Sequence, residues 1–416
     1  MKIGFVLKDI GLSEINMRCP EKGNPGIGGS EFLFLLLMRC MKLYDPQIDV
    51  ICYHFEENIL PDGIDYKIMK SVYDIPSLAV SDGVDYLIYQ INWGNAWYEK
   101  LNETHIKAVA WAHCYVSKEE LKYMLVSKNV KQVVFVGKEQ YDTYIDHEII
   151  RKSTYIYNML PISGEEKRNN QLGKTVTYVG SITRGKGFHI LAREWKYILK
   201  KVPDAELYVA GSGKLYDRRS RLGKYGIAEE TYEAEFIKHL TDDAGNILDN
   251  VHFLGIVGKE KEELYKKTMA GIINPSAKTE TFGMSAVEMS AYGIPIATKG
   301  QYGLYDTVVH KKTGLLSHTH RGFRNHVIKL LKDKAYNEQL GMQGKAFVSE
   351  AFTPEKIIPQ WILLFQMLEE NGQPVYQPPT AHYLNDFKWL RICNRTLKRL
   401  LGLKNFPAVC DVKRTY

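Results

Sequence analysis

Cysteine is scarce in this chain: 416 residues contain Cys19, Cys40, Cys52, Cys114, Cys393 and Cys410, and no two form a CxxC pair. That spacing excludes a disulfide scaffold and a zinc site of ordinary ligand spacing, and it favours a reducing compartment. Charge of one sign is not in strong excess either, with 55 Lys and Arg against 48 Asp and Glu and a net charge of +7. So mild and dispersed a balance is not that of a nucleic-acid binder. It suits anionic small molecules or a weak attraction to an anionic membrane surface. Long apolar runs are also missing. Phe32 to Met38 is bounded by Glu31 and Arg39, far short of the roughly 20 residues that span a bilayer. The run Ile3–Leu7 is too short for a signal peptide and predicts a first buried strand. A cytoplasmic location is therefore expected, with a peripheral place at the inner face of the membrane as an extension of it. No convincing GxGxxG follows that strand, which argues against a nicotinamide-dependent dehydrogenase.

A content of 45% hydrophobic and 25% charged residues is that of a globular protein with real cores. At roughly 100–200 residues per domain, two domains are expected. The first half alternates short apolar runs with helix-like patterns, at Ile3–Leu7, Asp49–His54, Asp85–Gln90, Ala108–Ala112, Gln132–Val136 and Thr154–Tyr157. After a polar stretch without periodicity, the pattern restarts at Thr175–Val179, Glu206–Ala210, Val251–Leu254, Gly271–Ile273 and Ile294–Thr298. Such alternation predicts an α/β fold of two doubly wound, Rossmann-like domains. The expected limits are residues 1–162 for the first, 163–174 for a linker, 175–370 for the second, and 371–416 for a basic C-terminal segment.

The most informative string is Pro275-Ser276-Ala277-Lys278-Thr279-Glu280-Thr281-Phe282-Gly283-Met284-Ser285-Ala286-Val287-Glu288. It reads as a strand end, a loop, and a helix beginning near Gly283 or Met284. In an open α/β sheet, ligands bind beyond the carboxyl ends of the strands. The first turn of a helix suits a phosphate, and Gly283 lets backbone approach an anion. Two carboxylates there would repel a phosphate but accept hydrogen bonds from the hydroxyls of a sugar and a ribose. A nucleotide sugar has that layout.

Glu280 and Glu288 stand in the Glu-x7-Glu spacing of retaining glycosyltransferases of family 4, which this region resembles. Phe282-Gly283, Ala291-Tyr292-Gly293-Ile294-Pro295, Thr313-Gly314-Leu315-Leu316, Tyr178-Val179-Gly180 and Lys186-Gly187 also match that family's pattern. The resemblance covers residues 175–316 well and the N-terminal half loosely. It implies the GT-B architecture, two facing Rossmann-like domains with the active site in an interdomain cleft. It also implies retention of anomeric configuration and no metal; no DxD-like acidic pair stands at a strand end.

Carried over, Glu280 would touch the transferred sugar and Glu288 the ribose. The backbone of Phe282, Gly283, Met284 and Ser285 would hold the distal phosphate, and Lys186 would neutralise the departing diphosphate. The family commonly has Arg directly after the glycine equivalent to Gly180. Here that residue is Ser181. Either Lys186 with backbone help suffices, or Arg184 in the same loop substitutes. Backbone groups of Ile256 or Val257 would read the base, although core packing explains their side chains equally well. The loop Asn24-Pro25-Gly26-Ile27-Gly28-Gly29-Ser30-Glu31 resembles the family's Gly-Gly-x-Glu loop, with Gly28 and Gly29 facing the diphosphate and Ser30 as N-cap; its alternative is a plain strand–helix turn. His113, after the strand-like Ala108–Ala112, sits where the family has a histidine near the donor sugar or acceptor, or is a satisfied structural histidine.

The expected partners are a nucleotide-sugar donor, UDP-linked, and a glycan, lipid-linked or small acceptor, as in cell-surface polysaccharide biosynthesis. No nucleic acid, metal or further cofactor is expected. A non-catalytic nucleotide-sugar-binding homologue is the rival reading. The segment 387–406 carries Lys388, Arg391, Arg395 and Lys398 beside a stripe of Leu390, Cys393, Leu397, Leu400 and Leu401. Either the stripe packs on the N-terminal domain, leaving the basic face outward, or the segment makes peripheral contact with a membrane.

Overall fold

Among the described residues, runs of three to six residues, most of them apolar, build thirteen strands, all parallel to their neighbours. The computed structural model describes all residues except 165, 170, 172, 216–220, 259, 279, 379–386, 404–405 and 413–416. The chain divides into two compact units. One comprises Met1–Lys22, Gly29–Met159 and Pro354–Tyr416, and the other Gly23–Gly28 and Leu160–Thr353.

The first unit contains β1 (Lys2–Val6), β2 (Asp49–His54), β3 (Asp65–Ile68), β4 (Tyr86–Gln90), β5 (Lys107–Ala112), β6 (Val130–Phe135) and β7 (Ser153–Tyr155). Their order is β3-β2-β1-β4-β5-β6-β7. The second contains β8 (Lys174–Val179), β9 (Ala205–Ala210), β10 (Val251–Gly255), β11 (Ala270–Ile272), β12 (Ile296–Lys299) and β13 (Gly314–Ser317), ordered β10-β9-β8-β11-β12-β13. Both are doubly wound, Rossmann-like sheets, with helical connections everywhere except between β2 and β3. In each, the order reverses beside the first strand, between β1 and β4 and between β8 and β11; such a reversal opens a crevice at the carboxyl edge.

Two strands were not anticipated. β3 is short, half-exposed and lies at the sheet edge, so it lacks the apolar run of a buried strand. β13 coincides with Thr313-Gly314-Leu315-Leu316, which carried no strand expectation; its first residue is Gly314, where a Cβ would lie 2.5 Å from Ile296 O.

The helix Pro354–Asn371, expected in the second domain, belongs to the first unit. Its Trp361 ring lies 5.2 Å from Trp111 of β5, its Phe365 ring 5.1 Å from Tyr86 of β4, and Glu369 accepts from Lys107 Nζ at 2.6 Å. The polar stretch 163–174, apart from its undescribed residues 165, 170 and 172, is fastened to the second unit. Arg168 donates to Asn337 Oδ1 at 2.7 Å, and Lys345 donates to Glu166 O.

The segment 387–406 forms the helix Lys388–Leu401, with 404–405 outside the described residues. Its orientation is the reverse of the packed arrangement expected. Arg391 and Asn394 are buried, at 2% and 8% exposure, while Leu390, Leu397, Leu400 and Leu401 are exposed. The physical reason lies in the polar groups that the unit presents to the helix. Buried Asp146 accepts from Asn394 Nδ2 at 2.7 Å, and its carbonyl accepts from Lys398 Nζ at 2.7 Å.

Candidate functional site

In the second unit, the loops after β8 and β11 meet at the crevice between those strands. The first carries the single turn Arg184–Lys186, closed by Gly187 at φ +71°. A Cβ on Gly187 would lie 2.6 Å from Ser276 Cβ and 2.7 Å from Ser276 N. Only glycine lets the β8 loop seat on the β11 loop there. Ser276 Oγ donates to Gly185 O at 2.5 Å, which ties the two loops together. In the β11 loop, Asn274 and Ala277 hold positive φ, +32° and +59°. Such backbone costs on the order of 1 kcal/mol per non-glycine residue and persists where surroundings over-determine it. Here the Asn274 side chain does so, with Nδ2 donating to Lys278 O at 2.9 Å and Oδ1 lying 2.9 Å from Ser276 Oγ.

This frame brings Lys186 and Glu280 together. Lys186 Nζ donates to Glu280 Oε2 at 2.8 Å, and Asn274 Nδ2 donates to the same oxygen at 3.0 Å. The paired side chains are 17% and 15% exposed, enough for a ligand to reach them and too little for water to screen them fully. Gly303 N donates to Glu280 O at 3.0 Å. A Cβ on Gly303 would lie 2.2 Å from Thr281 C, so that glycine seats against the backbone leading to Gly283.

Gly283 is left-handed at φ +86° and caps the helix Met284–Ala291, so the helix starts where the sequence places it. Phe282 is buried, its ring 5.3 Å from Phe352, whereas Met284 and Ser285 are half-buried. The first turn of a helix leaves N–H groups without intrahelical acceptors. Thr279, just ahead, lies outside the described residues.

Glu288, on that helix, is held by two residues that no motif singles out. Lys261 Nζ donates to its Oε2 at 2.9 Å, and Tyr265 OH donates to the same oxygen at 3.0 Å. Lys261 and Glu288 are 14% and 12% exposed. Burial, then the Glu288 charge, pushes the Tyr265 phenol well above its ordinary value, so it stays a donor. Lys261 and Tyr265 lie in the helix Lys261–Lys267, whose Lys-Glu-Glu-Leu opening reads as an ordinary solvated face. No local signal marks them; only their distance to Glu288 does.

The glycine-rich loop and the base-reading candidates are neighbours. Gly23–Gly28 clusters with the second unit. A Cβ on Gly26 would lie 3.4 Å from Ile256 Cγ2 and 3.8 Å from Val257 O. Asn24 Oδ1 accepts from Gly26 N and Ile27 N, both at 2.9 Å, and folds the loop locally. Ile256 is exposed beyond the end of β10, so it does not serve the core. Gly28 is half-buried, and Gly29 is the first residue of the helix Gly29–Tyr44. Ser30 therefore lies inside the first turn instead of capping it, because the glycine pair lets the helix begin one residue earlier.

Arg184 is turned to the outer side of its loop, paired with Glu235 and 5.4 Å from the Tyr232 ring centre, rather than with Lys186 on Glu280. His113, in the first unit, directly follows β5 and is buried beside Trp111 and Phe34, with ring centroids at 4.2 and 5.6 Å. Burial pushes its imidazole down to about 3, so it is neutral at physiological pH.

With that geometry in place, similarities to known proteins bear on it. Residues 163–347 match the family described as glycosyl transferases group 1. The capsular polysaccharide biosynthesis glycosyltransferase CapM of Staphylococcus aureus is 25% identical over 197 residues, 46% of each chain. The 2-deoxystreptamine N-acetyl-D-glucosaminyltransferase of Niallia circulans is 24% identical over 198 residues, 47% of this chain and 46% of that one. The chain thus spans about half the length of the curated relatives it matches. Among solved structures, Anabaena HepE in complex with UDP-glucose superposes with a TM-score of 0.66 at 15% identity, covering 88% of this chain and all of that one. Sucrose-phosphate synthase of Thermosynechococcus elongatus gives 0.62 at 16% identity over 89% of this chain and all of that one. The fold is therefore α/β of the GT-B class, and the matched segment 163–347 contains Lys186, Glu280 and Glu288.

Proposed function

We propose that the chain is a retaining, metal-independent glycosyltransferase of family 4, moving a sugar from a nucleotide diphosphate, UDP by preference, to a hydroxyl acceptor. The observation that carries this reading is the Lys186–Glu280 pair at the β8/β11 crevice. A cation held there by a carboxylate can be transferred to a diphosphate, leaving the carboxylate to accept from a sugar hydroxyl. In the reaction, the bond between C1 and the diphosphate oxygen breaks, and an acceptor oxygen bonds to C1 from the same face. The acceptor proton passes to the departing phosphate. Lys186 and the N–H groups from Phe282 to Ser285 stabilise the charge that develops. Glu288 accepts from the ribose, and Ile256 and Val257 read the base with their backbone. Arg184, engaged by Glu235, takes no part. His113, neutral, contributes a hydrogen bond near sugar or acceptor.

UDP is favoured because HepE has been solved with UDP-glucose, and a glycan acceptor because CapM is a capsular polysaccharide enzyme. A lipid-linked glycan, met at the inner membrane face, belongs to the same reading. The test combines thermal shifts against UDP, GDP and NAD with release of nucleoside diphosphate from a nucleotide-sugar panel, the product anomer being read by NMR. Stabilisation by UDP and turnover of a UDP-sugar with retention are expected. Stabilisation by NAD alone refutes the reading, and nucleotide-sugar binding without any turnover supports the non-catalytic rival.

A further inference from the structure

The inward side of the helix Lys388–Leu401 borders a cavity of about 530 Å³, which it shares with the segment 145–151 of the same unit. That segment leads into the amino end of β7, whereas the crevices at the two strand reversals open at carboxyl edges. None of Lys186, Glu280, Glu288 or His113 lines the cavity. Buried polar bonds hold its walls. Asp146, 4% exposed, accepts from Asn394 Nδ2 at 2.7 Å and from Val409 N at 2.8 Å, and its carbonyl accepts from Lys398 Nζ at 2.7 Å. A site fixed in this way before binding loses little conformational freedom to a ligand.

Four cations line the cavity, Arg151, Arg395, Lys398 and Arg399, against two carboxylates, Asp146 and Glu148. His147 adds no charge at neutral pH, because burial holds its imidazole below the usual value. Both carboxylates are engaged within the protein, Asp146 by the bonds above and Glu148 by Arg151 at 3.3 Å. Among the described residues no carboxylate pairs with Arg395 or Arg399; Arg395 instead donates to Tyr376 OH at 3.0 Å. The carbonyl end of the helix contributes roughly half a negative charge, which leaves most of the positive excess unmet.

We propose that this cavity binds the phosphate monoester of a small soluble molecule, a sugar phosphate or a nucleoside monophosphate. Such an ester carries about 1.5 to 2 negative charges at neutral pH, close to the excess that the lining leaves. A carboxylate, with a single charge, would leave much of that excess unmatched. Arginine forks meet phosphate oxygens two at a time. Tyr376 OH, accepting from Arg395, keeps its own proton for a further oxygen. The volume falls within the roughly 300–1,000 Å³ of small-molecule pockets, so an inorganic ion would leave most of it empty. Ile145, Ile150 and the Tyr376 ring line the remainder and suit the carbon face of a sugar or a base. Binding here ties the C-terminal helix to segment 145–151, and the inference goes beyond the transfer reaction without resting on it.

The experiment is calorimetric titration of the full chain with glucose 6-phosphate, UMP, inorganic phosphate and glucose. Binding of an organic phosphate is expected, with no heat from glucose, and the ester that binds more tightly names the source. Arg395→Gln/Arg399→Gln removes two charge-assisted contacts, each worth roughly tenfold, and should raise the Kd by about 100-fold. Asn394 and Lys398, which anchor the helix, are untouched in that variant, and a thermal midpoint equal to that of the parent chain shows that it folds. Tyr376→Phe, which removes one donor and no anchor, should raise the Kd by roughly tenfold. Lys186→Met should bind as the parent does, which tells this cavity apart from the phosphate site proposed in the second unit. No binding of either ester at millimolar concentration, binding unchanged in both cavity variants, or binding of both esters lost in Lys186→Met overturns the proposal. So does inorganic phosphate binding as tightly as either ester, which would mean an adventitious ion only.

Discussion

Lys186→Met separates what the Lys186–Glu280 pair does for the fold from what it does for turnover. The pair is about one-sixth exposed on each side. An exposed pair is worth roughly 0–1 kcal/mol, and stranding one partner of a fully buried pair costs roughly 3–5 kcal/mol. The present pair falls between, and Asn274 continues to bond Glu280 when the lysine is gone, so a loss of about 1–2 kcal/mol is expected in urea unfolding. The double variant Lys186→Met/Glu280→Gln removes the stranded charge and should recover most of that loss, a coupling that a double-mutant cycle isolates. Turnover behaves otherwise. Loss of one group that stabilises the departing charge costs on the order of 100- to 1,000-fold, and the double variant recovers none of it. Urea midpoints and nucleoside diphosphate release, measured on the wild type, Lys186→Met, Glu280→Gln and the double variant, decide the matter. Wild-type turnover in the stably folded single variant would remove Lys186 from the chemistry and leave the pair as a loop fastener.

Glu288→Ala should weaken nucleotide-sugar binding by roughly 1.5–3 kcal/mol, the worth of charge-assisted hydrogen bonds; unchanged affinity by calorimetry in the folded variant would refute the ribose assignment. Activity should survive EDTA, and loss that Mg²⁺ or Mn²⁺ restores would contradict a diphosphate held by Lys186 and helix N–H groups. Because burial holds His113 down to about 3 from 6.5, the unfolded chain binds a proton there that the folded one refuses. Stability should therefore fall with falling pH from about 6.5 towards 3, by at most roughly 1.4 kcal/mol per pH unit. His113→Phe should flatten that part of the urea-midpoint profile, and an unaltered slope would mean that other groups set it.

Much of the second unit was legible along the chain because its signals are local. Short apolar runs ending in glycine or polar residues marked β8, β9, β10, β11 and β12. The helix start at Gly283 followed from a residue able to take φ +86° immediately before an apolar helical pattern. Strand β3 escaped because an edge strand needs no buried face. Ser30 was misplaced as a cap because two preceding glycines leave the first helical residue undetermined by sequence.

Periodicity also cannot name a partner. The pattern in Pro354–Asn371 specifies a helix with one apolar side, and Trp111, Tyr86 and Lys107 decide that the first unit receives it. In Lys388–Leu401 the alternation defines two faces and leaves open which turns inward. Asp146, 248 residues before Asn394, settles that by offering a buried carboxylate to the polar side. The same holds at the candidate site. Sequence supplied Lys186, Glu280 and Glu288 as residue types beside glycines. Folding brought Lys186 to Glu280 across 94 positions and set Lys261 and Tyr265 on Glu288. Local chain stiffness and side-chain period are encoded within a few residues and can be read there. Pairings across a sheet depend on strand order, and only the assembled β8–β11 neighbourhood brings those charges within bonding distance.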